Sequence, residues 1–377
     1  MVYITTKQKQ QAFQISFEDL LFDRVPVNMF NTGDGKAGTI TRRVEVVSPE
    51  ILSQVSIDGL IEGLKEFVNK HENLYAVPRE SLYYFFKIPK KKGGLRDISE
   101  PNTELKSALT ELKEFLENKC GALYHTSAFA YIKRRSTEDA VKKHQKNESN
   151  WFLKTDFSNF FPSTNLHFIM RMLSMIFPFN EIMLSSKGKY FLTKAISLGM
   201  LKDGLPQGSP LSPTLTNIMM IPIDHTLFNG LHSKRMIYTR YADDMLISCI
   251  QSFNYKEVVR YIRSVLKQFN APFDIKDEKT RYGSRAGQNW NLGLMLNKDN
   301  QITVGYMNKK HFKASLNNYI LDRLHDHPWS IDDVKSFQGI MSYYKKIEPD
   351  YFNYLINHYN QKYCVNVEQM IKNNLKL

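Results

Sequence analysis

Two places in this chain carry aspartate where a strand would hold it out to solvent. Asp156 closes the run WFLKTD and precedes FSNFFP, and the adjacent pair Asp243 and Asp244 interrupts an apolar stretch over residues 236–249. Aspartate is disfavoured inside strands, and a like-charge pair in an apolar hairpin costs stability unless a cation neutralises it. Hard divalent cations such as Mg²⁺ take a few carboxylate oxygens together with substrate phosphates. Two such ions about 4 Å apart clamp the attacking and leaving oxygens of an in-line phosphoryl transfer. Taken singly, an aspartate after a strand is usually a turn or helix-cap residue, and an Asp-Asp turn usually faces water. Between the two sites, residues 204–213 read GLPQGSPLSP. A loop rich in glycine and proline brings its backbone close to a flat ligand such as a base pair, and Gln207 would add amide contacts. Alone, such a loop more often only caps a helix.

The elements that must position these residues follow from apolar spacing. Residues 83–101, YYFFKIPKKKGGLRDISEP, read as a hairpin with lysines and an arginine around a Gly-Gly tip. A strand is expected over 151–156, and a strand, tight turn and strand over 236–249. Helical spacing covers 51–73, 105–118, 137–145, 166–177, 215–228 and 255–269, with a basic loop, YIKRRS, at 131–136. Short strands are expected over 273–275 and 292–296, and from Lys309 onward the chain turns helical and basic. Residues 33–38 spell GDGKAG, a formal match to the dinucleotide-binding glycine pattern. A strand-like segment follows where that motif must open a helix, so a turn is the expected role.

Composition bounds the function classes. A chain of 377 residues calls for two or more modules, and 42 % apolar with 24 % charged residues excludes a largely disordered one. Lysine and arginine total 51 against 38 acidic residues, a net charge of +13. That excess favours a polyanionic partner, nucleic acid or an acidic membrane surface. No apolar run reaches the roughly 18–20 residues of a membrane span. Cys120, Cys249 and Cys364 lie too far apart for a disulfide framework or zinc spacing. The first residues lack a secretory profile, so a reduced, cytoplasmic protein is expected.

Together the acidic segments and the loop resemble the reverse transcriptases. KTDFSNFFPS is similar to the first palm motif of that family, GLPQGSPLSPTLTN to its template–substrate loop, and YADD to its signature dyad with Ala242 at the variable position. The order along the chain agrees, and the resemblance runs from about Tyr83 to Asn297, more loosely through the C-terminal helices. It implies an α+β right-hand polymerase with fingers, a palm whose antiparallel sheet packs on helices, and a helical thumb. The implied divisions are an N-terminal extension over 1–75, fingers over 76–150, a palm over 151–300 holding part of the fingers, and a thumb over 301–377.

The resemblance also implies roles. Asp156 and Asp243 would ligate two Mg²⁺ ions, with Mn²⁺ as a substitute. The Phe157 carbonyl would ligate one of them, and Asp244 would complete the acidic cluster. Phe161 would be the steric gate that prefers dNTPs to rNTPs, with ordinary core packing as its alternative. Gln207 would contact the incoming nucleotide. Arg96, with Lys90 or Lys92, would grip the triphosphate. Lys279 would protonate pyrophosphate, and Leu292 and Gly293 would lie against the primer end. Lys345 and Lys346 would face the duplex or form a solvated helix face.

No RNase H, integrase or HNH-like cluster is visible, which points to a compact enzyme similar to bacterial retron and defence-associated reverse transcriptases. Where retrons carry Asn-Ala-x-x-His, this chain has Asp139 and a His144 one residue late. Where they carry Val-Thr-Gly, it has Asn291-Leu292-Gly293. The expectation is therefore an antiviral defence reverse transcriptase outside, or divergent from, the retrons. It would copy a dedicated non-coding RNA from its own locus into DNA, away from membranes. An accessory defence protein and a homo-oligomer stay open. The alternatives are template-independent or protein-primed DNA synthesis, RNA-templated RNA synthesis, a retron enzyme making RNA-linked single-stranded DNA, and a nucleic-acid-binding scaffold without activity.

Overall fold

The computed structural model describes residues 2–4, 13–15, 56–90, 93–119, 124–286, 290 and 293–374. The glycine-rich segment at 33–38 and the strand-like residues after it lie outside these. In chain order the elements begin with β1 (Val2–Ile4) and β2 (Phe13–Ile15), then α1 (Ile57–Lys70), β3 (Tyr83–Pro89), β4 (Leu95–Pro101), α2 (Thr103–Glu114) and α3 (Thr137–Lys146). They continue with β5 (Trp151–Asp156), α4 (Phe160–Ser163), α5 (Leu166–Leu173), α6 (Ser186–Leu198), α7 (Ser212–Met219), α8 (Ile221–His232), β6 (Ile237–Tyr241), β7 (Asp244–Cys249) and α9 (Tyr255–Gln268). Last come β8 (Arg281–Ser284), β9 (Met295–Leu296), β10 (Ile302–Thr303), α10 (Tyr306–Leu324), α11 (Ile331–Ile347), α12 (Pro349–Tyr363) and α13 (Val367–Asn374).

The chain divides into two units. The first holds Met1–Ser136, Leu153–Ser248 and Phe253–Tyr282, and the second Thr137–Phe152, Cys249–Ser252 and Gly283–Leu377. In the first, Ser56 caps α1 by accepting the Gly59 N–H at 3.2 Å. The buried stripe Leu60, Ile61, Leu64, Phe67 and Val68 of α1 then faces α6. The helix expected over 215–228 is in fact two, α7 and α8, meeting at Met220. Pro222 explains the break: a proline sits without strain in a first helical turn but ends the helix before it. The strand expected at 273–275 reduces to a single antiparallel bridge, Phe157 to Ile275. Helix α6 has no counterpart among the sequence expectations.

A four-stranded sheet runs in the order β6-β7-β5-β8. β6 and β7 form the expected hairpin, pairing antiparallel from Ile237–Ser248 to Tyr241–Asp244. Asn150 donates its N–H to the Cys249 carbonyl at 3.0 Å, and Phe157 donates to that of Asp243 at 3.1 Å. Those bonds at opposite ends make β5 antiparallel to β7. β3 and β4 form a separate ribbon, its tip closed by the Lys90 N–H on the Gly94 carbonyl at 2.9 Å. Both acidic positions thus stand at one end of the central strands.

The second unit is built on aromatic packing. Phe312 stacks on Tyr344 with centroids 4.0 Å apart, and Phe337 and Trp329 close around Tyr319. Lys345 forms an exposed ion pair with Glu368 at 3.0 Å, and the exposed Lys346 pairs with the largely buried Glu138 at 2.9 Å. His144 on α3 is wholly buried, 5.9 Å from the Phe152 ring, so in this fold it is a core residue. Among the described residues no helix is long and apolar enough to cross a membrane.

Candidate active site

Strand β5 ends at Asp156, and the N–H of the next residue holds the carbonyl of Asp243. One backbone bond thus joins the two acidic positions. Asp156 is 7 % exposed. Its Oδ2 accepts from the Lys279 ammonium, whereas its buried Oδ1 has no hydrogen-bond partner. Asp243 occupies the two-residue turn between β6 and β7, beside Ala242, whose φ of 57° is left-handed. Burial, and after it the neighbouring Asp156 carboxylate, push the Asp243 carboxyl up to about 6. Against a burial that would lower it, the hydrogen bond and charge of Asp156 raise the Lys279 ammonium above its ordinary value.

Asp244 points to another partner: its Oδ2 accepts from Lys154 Nζ at 3.2 Å. Among the described residues no three His, Cys, Asp or Glu side chains are gathered as a ligand set. The cluster is two carboxylates, Asp156 and Asp243, with Lys279 against one of them. A buried carboxylate oxygen without a donor, beside a second carboxylate that burial disfavours as an anion, fits a hard divalent cation.

The loop at 204–213 ties this end of the sheet to the β3–β4 ribbon. Leu205 donates its N–H to the Phe161 carbonyl at 3.0 Å, and Ser99 of β4 donates to the Gln207 carbonyl at 2.8 Å. The approach needs glycine. A Cβ on Gly204 would sit 2.0 Å from the Pro162 carbonyl oxygen, and one on Gly208 (φ 121°) 2.8 Å from that of Ser99. Phe160 and Phe161 diverge: Phe160 is buried against Phe157 and Phe273, while Phe161 is only half-buried.

Arg96 lies on β4 opposite Ile88, and Lys90 begins the ribbon tip. Lys92 and Leu292 lie outside the described residues. Gly293, at φ 102°, belongs to the second unit. The structure therefore brings Asp156, Phe157, Asp243, Lys279, Phe161 and Gln207 onto connected segments of the first unit.

Two neighbours escaped the sequence reading. Lys154 shares a face of β5 with Asp156 by the two-residue period of a strand, a signal that was present. Tyr131, at φ 59° and exposed over much of its surface while its phenol end is partly covered, is the other. Burial, and then the Asp243 carboxylate, raise its phenol, and Arg96 acts in the opposite direction. Tyr131 is thus within electrostatic reach of both Asp243 and Arg96, which only the fold reveals.

The family described as reverse transcriptase (RNA-dependent DNA polymerase) matches residues 88–313. The retron Ec73 reverse transcriptase of Escherichia coli is 26 % identical over 283 residues, covering 73 % of this chain and 86 % of its own. The retron Ec83 reverse transcriptase of the same organism is 25 % identical over 289 residues, with 74 % and 87 % covered. A solved telomerase from Candida tropicalis, apo and truncated from its C-terminal domain, is similar at a TM-score of 0.43 and 14 % identity. That likeness covers 60 % of this chain and 55 % of the telomerase chain.

Proposed function

Because this chain belongs to the reverse transcriptase (RNA-dependent DNA polymerase) family and is an RNA-directed DNA polymerase, we propose that its reaction centre is the meeting point of Asp156 and Asp243. The observation that carries this reading is the Phe157–Asp243 backbone bond, which fixes the two carboxylates together with one Asp156 oxygen unpartnered. Asp156, Asp243 and the Phe157 carbonyl would hold two Mg²⁺ ions, for which Mn²⁺ would substitute. Bound there, such ions acidify the primer 3′-hydroxyl and neutralise the charge that develops on pyrophosphate.

The chain's own residues do the rest. Asp244 pairs with Lys154 and completes the acidic charge of the site. Lys279, whose ammonium the acidic cluster keeps protonated, is the proton source for the leaving pyrophosphate. Arg96, with Lys90 or Lys92, pairs with triphosphate oxygens. Gln207 meets the nucleotide, and the half-buried Phe161 ring excludes a 2′-hydroxyl. Leu292 and Gly293 support the primer end.

The RNA copied is a dedicated one encoded at the same locus, and the product serves antiviral defence in the cytoplasm of a bacterium. Two retron enzymes among the relatives favour a second form of this reading, in which the product is single-stranded DNA joined to its RNA. Sequencing the nucleic acid that purifies with the protein separates the two: a free DNA copy supports the first and a branched RNA–DNA molecule the second.

Primer extension on an RNA template with Mg²⁺ and dNTPs tests the centre itself. Asp243→Asn is expected to cut extension at least about 100-fold, or roughly 2.7 kcal/mol of barrier, with RNA binding retained. Full extension by that variant would remove the reading.

A further inference from the structure

Directly behind the turn that bears Asp243 lies an ion pair that no solvent reaches. Asp224 on α8 and Arg240 on β6 both have side chains 0 % exposed. Arg240 Nε donates to Asp224 Oδ1 at 2.9 Å and Oδ2 at 3.1 Å, and Nη2 donates to Oδ2 at 2.7 Å. The Tyr238 hydroxyl donates to Asp224 Oδ1 at 2.8 Å. The remaining arm of the fork, Nη1, donates at 3.0 Å to the carbonyl of Ala242, the left-handed residue next to Asp243. Nη2 also reaches Asn217 Oδ1 at 3.4 Å, and Asn217 Nδ2 donates to the Ala130 carbonyl at 2.8 Å. The Arg240 backbone is held as well, its N–H on Ser127 O at 2.6 Å and its carbonyl on Phe129 N at 2.9 Å.

A buried ion pair is a weak source of stability, because desolvation offsets its attraction; such pairs are retained where they define a geometry. Here the geometry is that of a two-residue turn with a backbone conformation that alanine rarely adopts. A planar, permanently charged fork can satisfy a carboxylate edge and a separate carbonyl at once, whereas an ammonium is a single point. We infer that Asp224 and Arg240 are positioning residues for Asp243, the carboxylate orienting the guanidinium and the guanidinium fixing the turn through the Ala242 carbonyl. This rests on the reading of Asp243 as part of the reaction centre.

The test removes the network without leaving a charge or hydroxyl unpaired: Asp224→Leu, Tyr238→Phe and Arg240→Met in one chain, with Arg240→Lys and Asp243→Asn in parallel. Thermal midpoint, RNA affinity, Mn²⁺ binding followed by electron paramagnetic resonance, and the kcat and KM of single-nucleotide addition are measured for each. The expected result for the triple variant is an unchanged fold and RNA affinity, weakened Mn²⁺ binding, and kcat down about tenfold or more with KM for dNTP nearly constant. Arg240→Lys should fold and show the same kcat loss. A triple variant with wild-type kcat and Mn²⁺ binding overturns the inference while leaving the centre intact. Full activity in Asp243→Asn instead overturns the centre. Failure of both Arg240 variants to fold would make the pair a requirement of folding, and the positioning role would fall.

Discussion

Phe160 and Phe161 are neighbours of one residue type, and the fold gives them different work. Phe160 fills the core between Phe157 and Phe273, while Phe161 keeps part of its ring free and has its carbonyl tied to Leu205. Replacing Phe161 with Ala should therefore leave the fold in place and lower the preference for dNTP over rNTP at least about tenfold, ~1.4 kcal/mol, in competition extension assays. An unchanged preference would return Phe161 to ordinary packing. His144 makes a different residue-scale prediction. Burial, and secondarily Lys143, push its imidazole down to about 3. The folded state keeps it neutral while the unfolded chain takes up a proton below about 6.5, so its stabilising effect is present above that pH and is lost as pH falls towards 3. From pH 7 to pH 5 the loss is about 2 kcal/mol, and His144→Gln should remove most of that slope in urea unfolding at the two pH values.

At the scale of elements, the loop at 204–213 is where local sequence and tertiary contact meet. Its glycines suggest close approach, but what they approach, Pro162 and Ser99, is distant in sequence. Gly204→Ala should cost roughly 1–3 kcal/mol in thermal unfolding, because Pro162 contacts it through backbone and has little room to give. The same contrast decides what was legible. Strand β5, the β3–β4 ribbon and the β6–β7 hairpin were readable because alternation and turn residues are local signals. The break between α7 and α8 was missed: Pro222 is a local signal for it, but apolar spacing ran the two together. Helix α6 hid because Lys187, Gly188 and Lys189 fill its first turn and Thr193, Lys194 and Ser197 interleave its buried residues Leu192, Ala195, Ile196 and Leu198. Asp156, Asp243 and Gln207 were legible from residue type and order; Tyr131 and the Asp224–Arg240 pair were not, since each takes its meaning from a partner that only folding supplies.

At the scale of the whole molecule, the +13 charge is a property of both units together. Where both partners lie at the surface, as Lys345 and Glu368 do, the carboxylate holds the lysine only weakly, and a polyanion readily competes. RNA affinity should accordingly fall roughly 10–1,000-fold between about 50 and 200 mM salt, and a flat response in filter binding would contradict the charge argument. The order of strands in the central sheet has one further consequence. β5, which carries Asp156, is an inner strand whose two neighbours, β7 and β8, are both encoded after it. During synthesis a nascent chain thus exposes Asp156 long before Asp243, the hairpin and finally Lys279 and β8 have left the ribosome. The sheet around Asp156 therefore cannot close until residues as far as Ser284 have been made, and the Asp156–Asp243 pair is assembled well after its first member.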